Sequence, residues 1–300
     1  MYGGASDTEI LTKMGFTDPE AKGMVERQPV DYKKLITKLK YAIKTKKEKF
    51  DMYLGTIPDV EEMTPQYVSE IGIVYLQNDT NLSFWNGIPL QPNSYDGQYH
   101  FICEIPKDTS AKMEINTSEH PHHIIQDKDV DGEPRFYKFT TMPFNYGCFP
   151  QTWEDPKITT NGYQGDNDPL DVIDIGEERA ETGLVYKVHV LGILGMIDSG
   201  EMDWKVVVIN VKDKNSEHLS THKDPLNDEK VKDKLEEFVM WMKYYKQHKG
   251  VTNDFLKPPV ECDKDADKYP MCLYFNKAKA IEVIKECHKQ WDDGKNPLKK

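Results

Sequence analysis

The chain has 300 residues, of which 38% are hydrophobic and 30% are charged, and its formal net charge is −12. This length allows one large domain or two ordinary ones, with enough apolar residues for a packed core. The acidic balance argues against nucleic acid binding through a general basic field, but a phosphate substrate stays possible because bound cations can offset charge locally.

The chain has five cysteines and no C-x-x-C pair. This pattern favours reduced thiols in a cytosolic protein over a zinc ribbon or a disulfide framework. No apolar run approaches membrane-spanning length, and no apolar secretory core follows the N-terminus. We therefore expect a cytoplasmic protein with neither a membrane nor a nucleic acid partner.

The first 60 residues differ in composition from the rest. Between Tyr32 and Tyr53, apolar residues recur at helical spacing and the opposite face is dense in lysine. Such a helix could bind a partner or an anionic surface, but a solvated helix docked on an acidic body is the favoured interpretation. We predict a helical, lysine-rich N-terminal extension over 1–60 and a catalytic domain over 61–300.

From about residue 66 the pattern predicts strands. Apolar or alternating runs occupy 71–76, 100–105, 112–115, 135–139, 184–197 and 204–211. Helices come late: residues 228–250 carry one apolar stripe, and Asn276 is a suitable N-cap for a second helix. Several short strands with few helices between them indicate a closed or curled barrel.

The segment Gly165 to Val172 has the sequence GDNDPLDV and places Asp166, Asp168 and Asp171 within six residues. Burying unpaired carboxylates is costly, and a hard divalent cation such as Mg²⁺, Mn²⁺ or Ca²⁺ is the simplest partner for an all-oxygen site. An EF-hand loop is disfavoured, because Leu170 stands where an oxygen ligand belongs and Asp171 where glycine is needed. We therefore predict a metal site of another kind.

A second acidic turn, from Asp198 to Lys205, leads into an apolar strand. Asp203 and Lys205 are two residues apart, so they point to the same side of that strand, although a solvated hairpin loop would also explain the turn. Further charged candidates on or near predicted strands are Glu104, Lys112, Glu114 and Arg135. Metal-assisted phosphoryl transfer requires acids that bind the metal ions and a few lysines or arginines that bind the anionic substrate.

Other catalytic chemistries find less support. The pair His122 and His123 follows Pro121, and no other soft ligand stands at zinc-ligand spacing, so a turn is the favoured interpretation. No Ser-His-Asp constellation or nucleophile elbow occurs, and the predicted chemistry needs no covalent nucleophile.

Residues 166–172 match the D-x-D-P-x-D-V signature of the soluble family I inorganic pyrophosphatases, and residues 145–156 resemble the eukaryotic branch. The resemblance covers about residues 66–290, with several motifs in the family's order. It implies a mainly β protein with an OB-like five-stranded β-barrel core and helices packed outside. It also implies Mg²⁺-dependent hydrolysis of pyrophosphate to two phosphates by a metal-activated water, without a covalent intermediate. The resemblance further implies several Mg²⁺ ions per site, which Mn²⁺ or Zn²⁺ could replace. It also implies that the protein is a homodimer.

The resemblance assigns roles to the acids residue by residue. Asp166, Asp171 and Asp203 match ligands of a first metal, and Asp171 bridges to a second. Asp198 and Asp203 match ligands of a metal that arrives with the substrate. Asp168 matches the general base that accepts a proton from the attacking water.

The remaining roles concern outer acids and phosphate contacts. Glu104 and Glu114 match acids that act on the metals through water. The groups that match phosphate-binding residues of the family are Lys112, Arg135, Tyr146, Lys205, Tyr245 and Lys246, of which Lys112, Tyr146 and Lys205 are also expected to be catalytic. Met142 departs from the family, which usually has tyrosine there, and loss of one such neutral hydrogen bond would cost about 1 kcal/mol.

Two alternatives stay open at this point. An OB-like barrel can bind nucleic acids or proteins without catalysis, and a metal-dependent hydrolase can act on a nucleotide or a polyphosphate. The intact set of acids argues against the first alternative. The absence of a glycine-rich phosphate loop and of a base-stacking motif argues against a nucleotide substrate.

Overall fold

The structure is a computed structural model that describes residues 66–70, 73–77, 83–92, 97–118, 122–258 and 273–296. The predicted lysine-rich helix within 1–60 lies outside the described residues. Cys103, Cys148 and Cys287 are buried free thiols. None of the helices in the described ranges is both long enough and apolar enough to cross a bilayer.

The described chain is mostly β-strand. In order, its strands are β1 (Gln66–Glu70), β2 (Ile73–Gln77), β3 (Gln98–Ile105), β4 (Met113–Ile115), β5 (Ile124–Gln126), β6 (Asn145–Cys148), β7 (Thr159–Thr160), β8 (Tyr163–Gly165), β9 (Asp171–Asp174), β10 (Val185–Asp198), β11 (Glu201–Asn210), β12 (Asp254–Phe255) and β13 (Tyr274–Asn276). The helices are α1 (Ser216–Thr221), α2 (Glu229–Tyr244) and α3 (Lys277–Gly294), with 3₁₀ turns at Pro225–Asn227 and Gln247–Lys249.

Five of these strands close into a ring. β3 pairs with β6 and with β10, β9 pairs with β6 and with β11, and β10 pairs with β11. Only the β9–β11 pair of this ring is parallel. The strands supply many buried aliphatic side chains, among them Ile102, Val172 and Val206. The ring confirms the predicted five-stranded core, and β1, β2, β5 and β4 form a second, antiparallel sheet.

The hairpin of β10 and β11 holds the acidic turn predicted from the sequence. Asp198 and Glu201 are register partners, and the two residues between them, Ser199 and Gly200, have φ values of 56° and 89°. Two positive φ angles are typical of the tight turns that match the twist of a hairpin, and glycine adopts them without strain. The hairpin thereby brings Asp198 and Asp203 to the same end of the ring.

The late helices follow their predicted patterns. In α2, Val231, Leu235, Phe238 and Met242 are buried, and Asp228 caps the N-terminus through the backbone N–H of Lys230. The predicted N-cap of α3 is also confirmed, since the Asn276 side chain accepts a hydrogen bond from the backbone N–H of Lys279 at 3.1 Å. Helix α3 packs against β10 outside the ring.

The strand predicted over 135–139 is wrong. This segment forms only an isolated bridge, between Ala111 and Phe136. Phe136 and Phe139 are 42% and 43% exposed, so the apolar residues that suggested a buried strand point outward. Conversely, β6 and β9 belong to the ring although their sequences gave no strong strand pattern, because they are short and contain polar residues of the site.

Candidate active site

One cavity of about 250 Å³ gathers the predicted site residues. It is lined from β3, β4, β6, β9, β10 and β11, from the loop before β9, and from the C-terminal end of α2. Its lining contains all thirteen predicted side chains: Glu104, Lys112, Glu114, Arg135, Tyr146, Asp166, Asp168, Asp171, Asp198, Asp203, Lys205, Tyr245 and Lys246. Residues up to 142 positions apart in the sequence therefore meet in one cavity.

The loop that carries the first acids is braced on the segment before it. The Asp166 side chain accepts a hydrogen bond from the backbone N–H of Asp168 at 3.0 Å, and Asn167 lies between them with φ 73°. The Trp153 indole N–H donates to the backbone and side-chain oxygens of Asn167, at 3.2 and 3.1 Å. The backbone N–H of Glu154 donates to the carbonyl of Asp168, and the carbonyl of Glu154 accepts from the N–H of Asn167. These contacts fix the spacing of the two carboxylates.

A buried lysine joins the acids of two neighbouring strands. Asp171 begins β9 and lies in register with Lys205 on the parallel strand β11. Lys205 is 2% exposed and donates hydrogen bonds to Asp171 and Asp203. The Tyr146 hydroxyl donates to Asp171 at 2.5 Å. Asp203 and Lys205 thus share one strand face, as their spacing predicts.

Crowding makes these acids hard to ionise. Burial, reinforced by the negative charge of Asp171, raises the pKa of Asp203 to about 7 against the opposing effect of Lys205. Burial and the charges of Asp171 and Glu114 raise the pKa of Asp168 to about 6. Asp168 is nevertheless exposed to the open cavity, which is consistent with its pKa being raised less than that of Asp203. Burial and the neighbouring aspartates raise the pKa of Asp166 as well.

The C-terminal end of α2 contributes the next group. Both oxygens of Asp198 accept hydrogen bonds from Lys246 at 2.5 Å, and one also accepts from the Tyr245 hydroxyl at 3.1 Å. Burial alone would raise the pKa of Asp198, but Lys246 and the hydrogen bonds lower it. The Tyr245 ring stacks on Trp241 with 5.0 Å between centroids. Asp198 is therefore held ionised beside a cation.

Another part of the cavity lining carries two cations that share one acid. Asp127 accepts hydrogen bonds from Lys112 at 3.0 Å and from Arg135 at 2.6 Å. Lys112 also contacts Glu114, which lies two residues away on the same side. Nothing in the sequence singled out Asp127, because it follows a short strand and belongs to no motif used in the prediction. Its function in the structure is to orient the two cations.

Two buried acids flank the main cluster. Glu104 is 5% exposed and accepts the backbone N–H of Ile115 at 2.7 Å. Burial and the charge of Asp171 raise its pKa. Glu154 is also buried, and one of its oxygens, Oε2, has no hydrogen-bond partner among the described residues. The sequence prediction gave Glu154 no role, although it lies within the segment 145–156 that carried the family resemblance.

The donor set suits a hard divalent cation. Glu154, Asp166 and Asp203 each place a carboxylate oxygen within 4.8 Å of the others. An unpartnered buried oxygen next to two crowded acids is stabilised by a cation, and an all-oxygen set favours Mg²⁺ or Mn²⁺ over softer metals. By contrast, His122 lies outside the cavity, where its ring nitrogen is 2.8 Å from the Ser83 hydroxyl.

Comparison with known proteins identifies relatives. The family model described as inorganic pyrophosphatase matches residues 101–292. The soluble inorganic pyrophosphatase 1, chloroplastic, of Chlamydomonas reinhardtii is 39% identical over 238 residues, which cover 79% of this chain and 79% of that one. A Toxoplasma gondii type I inorganic pyrophosphatase has a TM-score of 0.64 and 32% identity, covering 76% and 98% of the two chains. An N-terminally truncated Trypanosoma cruzi vacuolar soluble pyrophosphatase in complex with PPi has a TM-score of 0.62 and 34% identity, covering 79% and 93%.

Proposed function

This chain belongs to the inorganic pyrophosphatase family, a family of hydrolases, and from that premise we propose that it hydrolyses inorganic pyrophosphate to two orthophosphates with Mg²⁺. The observation that carries the proposal is the composition of this cavity, in which seven predicted acids and four predicted cations converge. An excess of acids suits divalent cations, and the cations suit the oxygens of a phosphate ester or anhydride.

We assign the metal ions to the acids as the family resemblance implies. Asp166, Asp171 and Asp203 would hold the first ion, with Asp171 shared with a second. Asp198 and Asp203 would hold an ion that enters with the substrate. Glu104 and Glu114 would act through water. Several Mg²⁺ ions per site, or Mn²⁺ or Zn²⁺ in their place, would neutralise the charge of the substrate and lower the pKa of a bound water.

Asp168 is the proposed general base. It faces the open cavity between the acids assigned to metals, whereas the carboxylates of Asp171 and Asp203 are held by Lys205. A raised pKa of about 6 brings its proton affinity closer to neutral pH, where a base is most effective. Asp168 would accept one proton from the attacking water, so the reaction needs no covalent intermediate on the protein.

The lysines of the cavity contact acids in this structure and would bind phosphate oxygens once metal ions engage those acids. Lys205 and Lys246 contact acids that are assigned to metals, and Lys112 contacts Glu114. Once those acids are engaged by divalent cations, the lysines can turn their N–H donors to phosphate oxygens and stabilise the leaving group. Arg135, Tyr146 and Tyr245 line the same space and would complete the set of donors.

A direct test measures orthophosphate release from pyrophosphate while Mg²⁺ is titrated, with ATP and tripolyphosphate as rival substrates. We expect rapid release from pyrophosphate that requires Mg²⁺, and inhibition by Ca²⁺, which occupies carboxylate sites with looser geometry. If the folded, metal-loaded protein cleaves ATP or tripolyphosphate faster than pyrophosphate, the assigned substrate is wrong.

Three further proposals extend the sequence predictions. We place the catalytic domain at 61–300 and the N-terminal extension at 1–60. We propose a homodimer, as the resemblance implies. A cytoplasmic location stays a prediction, and the Chlamydomonas relative, which is chloroplastic by name, indicates that compartments vary within the family.

A further inference from the structure

We propose that Tyr137 binds the substrate, donating a hydrogen bond from its hydroxyl to a phosphate oxygen of pyrophosphate. This inference rests on the proposed function and adds a residue to it, since the family resemblance assigns no role to position 137. Tyr137 lines the cavity beside Arg135 and Tyr245.

The backbone conformation directs the Tyr137 side chain toward the cavity. Its N–H donates to the carbonyl of Ser110 at 2.7 Å, and the neighbouring Phe136 forms the bridge to Ala111. On the other side, the N–H of Arg135 donates to the carbonyl of Asp127 at 2.7 Å. The segment is thus locally extended, so its side chains alternate: Arg135 and Tyr137 line the cavity and Phe136 points to solvent.

The ring of Tyr137 is fixed by two aromatic neighbours. It meets Trp241 edge-on with 4.8 Å between centroids, and Tyr245 edge-on with 5.9 Å. Such contacts favour one ring orientation. A hydroxyl carried on a fixed ring needs little further ordering when it binds a ligand, which is the property expected of a substrate contact.

The hydroxyl of Tyr137 is available, unlike those of the other two tyrosines in the cavity. Tyr146 donates to Asp171, and Tyr245 donates to Asp198. Across the described residues, the Tyr137 hydroxyl makes no hydrogen bond, yet it faces a cavity lined by charged groups. Tyr137 is therefore the tyrosine whose donor is not already committed to an acid.

The charges around Tyr137 favour an anion. Lys112 and Arg135 exert the strongest electrostatic effects on its hydroxyl. Asp171 and Lys205 act on it more weakly and in opposite directions. Burial raises the pKa of Tyr137 despite these cations, so the hydroxyl keeps its proton and remains a donor at neutral pH. A neutral donor among cations complements the partly shielded oxygens of a phosphate group.

Tyr137 also compensates for the tyrosine that the chain lacks at position 142. Met142 is fully buried, its backbone is held by Thr109 and Asp108, and it does not line the cavity. No hydroxyl reaches the site from that position. Tyr137 supplies one from a different point of the same segment, between Arg135 and Tyr146.

The test compares Tyr137→Phe, which removes only the hydroxyl, with Tyr137→Leu, which also removes the ring. Binding of imidodiphosphate, a non-hydrolysable analogue, is measured by calorimetry on the full chain with Mg²⁺, and kcat and KM are measured with pyrophosphate. A hydrogen bond to a charged group corresponds to about a 10- to 100-fold change in an equilibrium constant. We expect Tyr137→Phe to weaken analogue binding by about 10-fold or more while the melting temperature stays unchanged.

The matched control is Tyr163→Phe, since Tyr163 lies on β8 outside the cavity and its variant should bind the analogue as the wild type does. If Tyr137→Phe binds imidodiphosphate like the wild type and only Tyr137→Leu is impaired, Tyr137 is a packing residue and the proposal is wrong. A wild-type chain that binds the analogue but releases no phosphate would contradict the proposed function, and the binding comparison would still decide the role of Tyr137.

Discussion

Every cation of the cavity is paired with an acid before any ligand arrives. Lys205 joins Asp171 and Asp203, and Lys246 joins Asp198. Lys205 is almost completely buried, so removing its charge would leave the two acids facing each other without compensation. The ion pairs offset the repulsion of a strongly acidic cavity, and under the proposed function divalent cations would replace the lysines as partners of the acids.

The unpartnered oxygen of Glu154 makes this residue a test of the metal site. We expect Glu154→Gln to weaken Mg²⁺ or Mn²⁺ binding about 10- to 100-fold, the usual cost of losing a group that supports metal ligands. Mn²⁺ titration followed by electron paramagnetic resonance measures this directly. The control is Glu282→Gln, an exposed acid on α3; equal affinities for both variants would exclude Glu154 from the metal site.

The raised pKa values predict how metal-free stability depends on pH. Asp168 and Asp203 titrate near 6 and 7 in the folded state, above their ordinary value of about 3.9. The folded protein therefore holds protons that the unfolded chain has released, so the stability they provide is full below pH ~4 and is lost as pH rises through 6 to 7. The pKa values of Asp127 and Asp198 are lowered, so the stability that these two acids contribute is lost as pH falls below their ordinary range.

We accordingly expect the melting temperature of the protein in EDTA to fall between pH 5 and pH 8. Because Mg²⁺ would relieve the repulsion of ionised acids, it should raise the melting temperature more at pH 8 than at pH 5. Differential scanning fluorimetry with and without Mg²⁺ measures both effects. The same Mg²⁺-induced shift at the two pH values would contradict the assignment of these acids to a metal.

At the level of elements, the sequence predicted best the strands that are long runs of buried residues. β3, β10 and β11 are long apolar runs and follow their predictions closely. β6 and β9 were missed because Asn145, Tyr146 and Asp171 supply the site rather than an apolar pattern. Motifs located the main acids and cations, whereas Asp127, Glu154 and Tyr137 became visible only through contacts between segments far apart in the sequence.

The close approach of β6 to β3 gives a prediction at this scale. A Cβ at Gly147 would lie 1.9 Å from the carbonyl oxygen of Ile102, so Gly147→Ala must push the strands apart. We expect a loss of about 1–3 kcal/mol in unfolding free energy, measured by urea titration, and reduced activity because Tyr146 and Glu104 would move. Gly97→Ala, which has φ 67° but open space around it, should cost about 1–2 kcal/mol through backbone strain and leave kcat unchanged.

At the scale of the whole molecule, the described residues that line the cavity all lie between Glu104 and Lys246. The family model likewise begins at residue 101. We therefore propose that residues 1–60 are separable from catalysis.

We expect a chain of residues 61–300 to fold and to hydrolyse pyrophosphate with the kcat of the full chain. Light scattering on both chains would show a homodimer in each case if the extension has no part in assembly. A truncated chain that folds but loses activity would place residues 1–60 in the catalytic unit and contradict the proposed domain boundary.

The most direct test of the account is the rate of phosphate release by Asp168→Asn, measured with saturating Mg²⁺ and pyrophosphate. Asparagine keeps the size of the side chain but cannot accept the proton, so kcat should fall about 10²- to 10⁴-fold with the fold and metal binding preserved. The control, Asp233→Asn, changes an exposed acid on α2 and should retain full activity. An Asp168→Asn variant with wild-type kcat would show that this carboxylate is not the base.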